Sequence, residues 1–366
     1  MIMYVDDSDI FINSTCTNQI EDIKIKSQHA ITFWKEALHV TGGVVRPSKC
    51  SWVLVDFAWN GSQYRYKDKM DLPGDIFLED ETRTRRALKR NNPSVALEGL
   101  GVYLQPKGND DQQYSYMMES IQKWKAQLLH STLPPSFNFN AMHTRIIRTL
   151  YYPLPTICLT SEQCKSLEAS IYRESLPRCG ISSKLPLIVR YGSRKYMGLA
   201  IPEFEIQQGL SHTRELLTSF DTNTTTAEQF KISLELIHLL VGTSDWIFDK
   251  FDVSFTDYID NSWMRTTWNF LVKHQFQIHA PHITLRASRQ NDCFLMDGIN
   301  SLQISIMGKV RLNRCRVYLQ ALTISDIVDA AGINILESAM RGRKDMTRTS
   351  NLLWPNQGRP CENDWH

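Results

Sequence analysis

The first twelve residues alternate between apolar and acidic stretches. Residues 1–4 are apolar apart from the Tyr4 hydroxyl, residues 6–9 are mostly acidic, and residues 10–12 are apolar again. Two short apolar runs on either side of a polar turn are typical of an antiparallel hairpin. The pattern therefore predicts strands over 1–4 and 10–12, with the acidic residues at the turn.

Helical periodicity follows this hairpin. Between residues 18 and 40 the apolar side chains recur at intervals of three to four, and Gly42 and Gly43 supply a stop signal; the apolar positions are Ile20, Ile23, Ala30, Trp34 and Leu38. One amphipathic helix over 18–40 is expected. Residues 51–59 are rich in Val, Phe and Trp, and Asn60-Gly61 favours a type I′ turn before 63–66, which predicts a second hairpin.

Residues 95–105 contain the last predicted strand, in which Gly99 and Gly101 permit close approach of another backbone. After Pro106 the pattern is helical, with predicted helices over 111–131, 140–152, 161–176, 206–219, 228–241 and 256–276 and a polar linker at 222–226. The fold class expected is α+β: a strand-rich part over 1–106, a helical part over 107–218 and a mainly helical part over 219–366.

Composition indicates a globular chain. Of 366 residues 42% are hydrophobic and 22% are charged, and the net charge of +2 excludes a uniformly basic nucleic-acid binder. The eight cysteines are scattered, without zinc-ribbon spacing or a disulfide framework. With Asp6, Asp7 and Asp9 where a signal peptide would be apolar, the expectation is an intracellular protein, nuclear or cytoplasmic rather than secreted, without a membrane span.

The adjacent carboxylates Asp6 and Asp7 are the main candidates for chemistry. Phosphoryl transfer by polymerases uses two divalent ions, and a strand turn can direct neighbouring carboxylates to one point. Hard oxygen ligands favour Mg²⁺ or Mn²⁺ over zinc. The alternative is an ordinary solvated acidic turn.

The order of motifs resembles that of retroelement reverse transcriptases, most closely the non-LTR type. Residues 4–10 (YVDDSDI) look like the palm hairpin of that family, and the helix ending at 41–43 resembles the one that crosses beneath the palm sheet. Residues 46–50 (RPSKC) resemble the segment whose lysine approaches the nucleotide phosphates. Residues 99–102 (GLGV) are similar to the strand that grips the primer end.

The resemblance continues into the helical part. Residues 151–153, 176–180 and 196–202 resemble the thumb and its extension in these retroelements, whereas 313–316 and 354–356 look like a family-specific tail without an assigned role. We therefore expect a partial palm over 1–106 and a thumb-like region over 107–218.

By resemblance, the chain would carry out RNA-directed DNA synthesis with an RNA template, a DNA primer, deoxynucleoside triphosphates and two Mg²⁺ ions. Asp6 and Asp7 would be metal ligands, and Lys49 would act at the phosphates. Contacts to nucleic acid would come from Tyr4, Leu100, Gly101 and Val102. The family's fingers and a further palm aspartate precede the hairpin, so the expectation is an N-terminally truncated chain that is inactive alone.

A cluster of five basic residues is the candidate backbone-contacting surface: Arg83, Arg85, Arg86, Lys89 and Arg90. Such clusters are often merely solvated, and an isolated lysine such as Lys49 is usually a solvated charge. A nucleic-acid-binding module without catalysis is thus the first rival function.

Three weaker alternatives remain. Asp7-Ser8-Asp9 also matches the acid-x-acid signature of metal-dependent glycosyltransferases, although an upstream nucleotide-binding domain would be required. His279 and His282 with Cys293 suggest zinc, but Pro281 and the lack of a fourth spaced ligand oppose it. The aromatic residues, including Trp124, Tyr258, Trp263 and Phe270, are expected to be core rather than base-stacking groups. Nothing in the sequence indicates an oligomeric state.

Overall fold

The computed structural model divides into two units: the first contains most of the strands and one long helix, and the second is mainly helical. It describes residues 2–4, 7–12, 19–60, 63–80, 83–220, 222–244, 246–248, 256–259, 262–278, 291–319 and 321–336. One unit comprises Met1–Asn60 and Tyr64–Gln112, and the other comprises Gly61–Gln63 and Gln113–His366. Short strands lie before residue 105 and most helices after residue 110, which agrees with the α+β class.

The strands of the described residues form five two-stranded sheets. They are β1 (Ile2–Tyr4), β2 (Asp7–Asp9), β3 (Ser51–Val53), β4 (Phe57–Asn60), β5 (Gln63–Tyr66), β6 (Phe77–Glu79), β7 (Arg85–Ala87), β8 (Lys89–Asn91), β9 (Leu97–Gly99) and β10 (Val102–Leu104). The pairs are β1–β2, β3–β8, β4–β5, β6–β7 and β9–β10, of which β3–β8 is parallel. No described sheet has a third strand, so a larger palm sheet stays a prediction.

The first hairpin forms, but its second strand differs from the prediction. Strand β1 pairs with β2 so that Tyr4 lies opposite Asp7 and Ile2 lies opposite Asp9. The acidic residues 7–9 are therefore in the strand, and 10–12 are not. A two-residue connection closes a hairpin most tightly, and an edge strand tolerates charged side chains that face solvent, as Asp9 does.

Residues 95–105, where one strand is predicted, form a hairpin of two antiparallel strands, β9 and β10. Leu100 and Gly101 both have positive φ, 52° and 77°, and they connect β9 to β10. Positive φ at both central residues is the geometry of a type I′ turn, and it explains the glycine at position 101. A Cβ added at Gly99 or Gly101 would meet no described atom within 4 Å, so no described backbone approaches either glycine closely and this expectation stays a prediction.

The hairpin predicted over 51–66 is confirmed for β4 and β5, which are neighbours in one sheet. Gly61, in the predicted turn, lies outside the described residues. Strand β3 is not part of this hairpin; it pairs with β8, and Trp52 lies opposite Arg90. A small core of Ile76, Leu78 and Leu88 supports this arrangement, with Ile31, Val45, Cys50 and Trp52 packed against it. Ile31 belongs to helix α1 (Gln19–Val40), the predicted first helix.

The helices of the second unit mostly follow the predictions. They are α2 (Asp111–Leu129), α3 (Pro135–Ala141), α4 (Ile147–Tyr151), α5 (Ser161–Arg178), α6 (Leu187–Tyr191), α7 (Phe204–Phe220), α8 (Thr225–Val241), α9 (Trp263–His274), α10 (Leu295–Ser301) and α11 (Ile306–Leu319). A π-helical turn, Met142–Ile146, joins α3 to α4. Helix α9 starts at residue 263 rather than 256 because the Ser262 side chain accepts a hydrogen bond from the Arg265 amide at 3.1 Å.

A large apolar core holds α7 to α11 together. It contains Leu216, Leu234, Ile237, Phe248, Tyr258, Trp268, Phe270, Leu271, Met296 and Val310, with Trp263 packed against it. The core assignment of Tyr258, Trp263 and Phe270 is confirmed, whereas Trp124 is only half-buried. None of the described helices has the length and apolar content needed to cross a bilayer.

Arg316 fastens α11 to the end of α8. Its buried guanidinium donates hydrogen bonds to the carbonyls of Leu239, Leu240 and Ala321 and to the side-chain oxygen of Asn313. The last carbonyls of a helix lack intrahelical donors and carry partial negative charge, which suits a cation. Burial lowers the pKa of Arg316 to about 10. Residues 313–316, whose role the sequence leaves open, thus have a structural role.

Candidate nucleic-acid interface

The carboxylate hairpin is described only in part. Asp7 is the first residue of β2 and pairs with Tyr4, the last residue of β1. Asp6 lies outside the described residues, and so do the side chains of Asp7 and Tyr4. Within the described part of the chain, no three His, Cys, Asp or Glu side chains are grouped to hold a metal ion. Metal binding at Asp6 and Asp7 therefore stays a prediction.

Lys49 ends a single 3-10 turn, Pro47–Lys49, and its side chain is exposed. Pro47 fixes φ at the start of the turn, and the amides of Lys49 and Cys50 bond back to Arg46 and Pro47 at 3.0 and 3.2 Å. Strand β3 starts two residues after Lys49, and its first residue, Ser51, pairs with Lys89. The parallel pairing thus brings the Lys49 turn beside the segment that carries the basic cluster.

Four members of the basic cluster are exposed: Arg83, Arg85, Arg86 and Lys89. These four residues are called the basic surface below. Arg85 and Arg86 lie in β7, opposite Glu79 and Leu78 of β6. Repulsion between neighbouring cations opposes such a cluster, and a polyanion relieves that repulsion.

Asp80 organises the turn between β6 and β7. Its carboxylate accepts a hydrogen bond from the Thr84 amide at 3.0 Å and another from Nε of Arg86 at 2.7 Å. The Asp80 amide donates in turn to the Thr84 carbonyl at 3.0 Å. Arg83 in this turn has φ of 60°, a left-handed conformation uncommon for arginine. The turn is therefore defined by specific contacts that place Arg83 and Arg86 in solvent.

Arg85 is held by an aromatic ring. Its guanidinium lies 4.2 Å from the ring centroid of Phe77 in β6. A guanidinium stacked on a ring keeps its N–H edge directed outward, where it can donate to phosphate oxygens. This stacking pre-orients Arg85 and reduces the conformational entropy lost when it binds a ligand.

Arg90 differs from the other four basic residues because it is buried. Its guanidinium donates to the Leu72 carbonyl and, at 3.4 Å, to the Gly74 carbonyl, and it lies 4.8 Å from the Trp52 ring centroid. Burial lowers the pKa of Arg90, partly offset by Asp75. Arg90 thus connects β8 to β3 and to the 72–74 loop, and its predicted contact with nucleic acid has no support in these contacts.

Helix α1 supports the basic surface from behind. The Gln28 side chain donates to the Phe77 carbonyl at 2.8 Å and accepts from the Phe77 amide at 2.9 Å. Lys35 forms an ion pair with Glu79 at 3.0 Å, and Lys24 donates to the Pro73 carbonyl. Sequence reasoning missed Gln28. The available signal was a polar side chain three positions before Ile31, on the side of the helix that faces the small core.

The predicted primer-contacting residues lie in the β9–β10 hairpin. Leu100 and Gly101 form its exposed turn, whereas the Val102 side chain is buried, with only 7% of its surface accessible. The Tyr103 hydroxyl donates to Glu98 on the partner strand at 3.0 Å. Leu100 and Gly101 are therefore accessible to a ligand, while Val102 can offer only its backbone.

Comparison of the chain with protein-family models, with curated proteins and with solved structures finds no significant match.

Proposed function

We propose that this chain is part of an RNA-directed DNA polymerase of the reverse-transcriptase type, and that its first unit contacts the primer and template. The motif order from the Tyr4–Asp7 hairpin to residues 99–102 supports the polymerase class. The observation that carries the proposal is the basic surface. Arg83, Arg85 and Arg86 are exposed on the β6–β7 hairpin, which is hydrogen-bonded to α1, and Lys89 is exposed in β8, beside the Lys49 turn. Arg85 is held by the Phe77 ring and Arg86 by Asp80, and exposed cations fixed in this way favour a polyanionic ligand.

The proposed roles follow from the chemistry of each group. Asp6 and Asp7 offer hard oxygen ligands for Mg²⁺ or Mn²⁺. Lys49 would neutralise nucleotide phosphates, and the basic surface would bind the sugar-phosphate backbone. Leu100 and Gly101, at the β9–β10 turn, would contact the primer end. Two carboxylates would supply only part of the ligands of such an ion, and the resemblance implies a further palm aspartate among them.

Backbone binding is tested with an RNA–DNA duplex that carries a fluorescent label. Its dissociation constant is measured by anisotropy over a series of salt concentrations, with the protein and with Arg85→Gln/Arg86→Gln. Each lost phosphate contact should lower the slope of log affinity against log salt by roughly 0.9. The control, Lys69→Gln/Lys107→Gln, removes two other exposed cations of the same unit. Equal slopes for the two double variants would contradict the proposal.

A nucleic-acid-binding module without catalysis is the second candidate, because the basic surface requires no metal ion. Divalent ions distinguish the two. For a polymerase part that is inactive alone, Mn²⁺ binding detected by electron paramagnetic resonance should be lost in Asp6→Asn and Asp7→Asn but retained in Asp9→Asn. Duplex binding that is unaffected by all three substitutions, without bound Mn²⁺, favours the module.

A further inference from the structure

A second concentration of positive charge lies in the other unit. Residues 175–202 contain five basic residues and no acidic one, in a chain whose net charge is only +2. The basic residues are Arg178, Lys184, Arg190, Arg194 and Lys195. Because the rest of the chain is net negative, this segment is a local concentration of positive charge in the sequence.

The segment folds into a short projecting turn, residues 193–197, called the knuckle below. Two stretches at its base are joined by backbone hydrogen bonds: Leu199 to Val189 at 2.8 Å, Ala200 to Gly192 at 2.8 Å and Ile201 to Arg190 at 3.1 Å. Within the knuckle, Tyr196 and Gly198 bond back to the Ser193 carbonyl. The knuckle is therefore a hydrogen-bonded structure with a fixed base.

Two glycines allow the base to close. A Cβ at Gly198 would lie 2.0 Å from the Gly192 carbonyl oxygen, and one at Gly192 would lie 2.4 Å from the Ile188 carbonyl oxygen. Met197 and Ala200 adopt left-handed φ values of 64° and 51°. Non-glycine residues in that region cost energy and occur preferentially at functional sites. The backbone conformation of the knuckle and its base therefore includes strain at Met197 and Ala200.

Side chains behind the knuckle hold its base in place. The Tyr191 hydroxyl donates to Glu168 of α5 at 2.6 Å, and Glu168 also accepts from the Phe204 amide at 2.7 Å. The Arg190 guanidinium lies 5.8 Å from the Tyr172 ring centroid and donates to the Ser183 carbonyl at 3.1 Å. These contacts attach the base to α5 and α7.

The knuckle presents cations and apolar groups together. Arg194 and Lys195 are exposed, 77% of Tyr196 and 91% of Met197 are accessible, and the Lys195 ammonium lies 5.7 Å from the Tyr196 ring centroid. Tyr196 and Met197 are consecutive in the chain and lie next to Arg194 and Lys195, so exposed apolar and charged groups are combined in one short segment. A ligand complementary to this surface carries negative charge and has a flat group that can stack on the ring of Tyr196.

We propose that the knuckle binds single-stranded nucleic acid, with Arg194 and Lys195 at the phosphates and an unpaired base stacked on Tyr196. Charge complementarity selects a polyanion, and nucleic acid combines regularly spaced phosphates with flat bases that an aromatic ring can stack on. A single strand is specified because the bases of a duplex are already stacked on each other. This inference rests on the proposed function and adds a contact in the second unit.

The charge component is tested by anisotropy with a short labelled RNA and a DNA of the same sequence, both single-stranded. Arg194→Gln/Lys195→Gln should lower the salt slope by roughly 1.4, because each phosphate contact on a single strand contributes about 0.7. The matched control is Lys165→Gln/Arg173→Gln, which removes two exposed cations of α5. If both double variants change the slope equally, the knuckle has no special role and the proposal is overturned.

The stacking component is tested at Tyr196. Tyr196→Leu should weaken single-strand binding roughly 5- to 150-fold, whereas Tyr196→Phe keeps the ring and should bind nearly as well as the parent. Circular dichroism checks that both variants retain the parent fold. Equal affinity of Tyr196→Leu and Tyr196→Phe would overturn the stacking contact. Loss of binding to phosphatidylserine vesicles in the knuckle variants, with RNA binding unchanged, would assign the knuckle to a membrane surface instead.

The two proposals fail in different ways. If the parent protein binds neither duplex nor single strand, the proposed function fails and this inference fails with it. If Arg85→Gln/Arg86→Gln weakens duplex binding but the knuckle variants bind both probes like the parent, the proposed function stands and only this inference is overturned.

Discussion

Gln28 of α1 and Phe77 of β6 are joined by two reciprocal hydrogen bonds, in which the side-chain amide pairs with the backbone amide and carbonyl of one residue. The glutamine takes the place of a neighbouring strand at a sheet edge, where unpaired backbone groups would otherwise remain. The ring of Phe77 also carries the Arg85 guanidinium. One strand residue therefore connects the helix to the basic surface.

Gln28→Met should destabilise the first unit. Methionine fills a similar volume but leaves the amide and the carbonyl of Phe77 without partners, and each partly buried orphan group costs about 1–3 kcal/mol. Urea denaturation gives the change in the free energy of unfolding. His29→Met, at the exposed neighbouring position of α1, is the control and should change it little. Similar stabilities for the two variants would mean that the paired hydrogen bonds contribute nothing.

Arg90→Met should reduce stability without changing the intrinsic affinity of the folded protein for duplex. The buried guanidinium bonds to two carbonyls and stacks on Trp52, and hydrogen bonds from charged groups contribute about 1.5–3 kcal/mol each. Arg86→Gln should weaken duplex binding but change stability little, because 62% of the Arg86 side chain is accessible. Thermal unfolding and duplex anisotropy, measured on both variants, check this separation. Weaker duplex binding by folded Arg90→Met would contradict it.

Gly242→Ala should destabilise the second unit through a clash with Arg316. The added Cβ would lie 2.5 Å from the guanidinium carbon, and φ of 68° at this position is strained for alanine. Overpacking in a close-packed interior costs about 1–3 kcal/mol. In the Arg316→Met background the clash disappears and only the φ strain remains. A double-mutant cycle of unfolding free energies should therefore show non-additivity, and strict additivity would argue against this contact.

Two buried histidines should make stability depend on acid. Burial lowers the pKa of both His212 and His238 to about 4, from an ordinary value of 6.5. As pH falls from 6.5 to 4, the unfolded chain takes up protons that the folded chain does not, so stability is lost over this range. A difference of one in pKa corresponds to about 1.4 kcal/mol, which gives about 3 kcal/mol for each histidine.

His238→Phe separates this contribution. Among the described residues neither ring nitrogen of His238 has a hydrogen-bond partner, and the ring stacks on Trp246 with centroids 4.9 Å apart. Phenylalanine keeps the stacking and cannot take up a proton. The loss of unfolding free energy between pH 6.5 and 4 should be smaller than in the parent by about 3 kcal/mol, the contribution of this one histidine. His130→Phe, at an exposed position, is the control, and equal pH dependence in the two variants would refute the assignment.

Local patterns predicted the helices well. The spacing of apolar side chains located α1, α2, α5, α7 and α8 to within a few residues, because each buries one face against a core. Apolar spacing predicts too early a start for α9, because that spacing extends upstream of Ser262, whose side chain caps the helix. Strand pairing was harder, since the partner of β3 lies after two intervening hairpins and no local signal identifies it.

The candidate site was only partly readable from the sequence. Charge clustering located Arg83, Arg85, Arg86 and Lys89, but it could not separate them from Arg90, whose burial depends on Trp52 and the 72–74 loop. The knuckle residues resemble a thumb extension in sequence, whereas the strain at Met197 and Ala200 is visible only in the backbone. Long-range contacts thus decide which charged side chains are available to a ligand.

Because β3 pairs with β8, the basic surface depends on segments of the chain that are distant in sequence. A fragment that ends before Lys89 leaves Ser51–Val53 without a partner, and a peptide of 83–90 lacks both Phe77 and α1. Such pieces would have to order their backbone during binding, at an entropic cost that the intact unit meets in folding. Peptide mimics should accordingly bind more weakly than the same residues in the whole protein, even though their charge is identical.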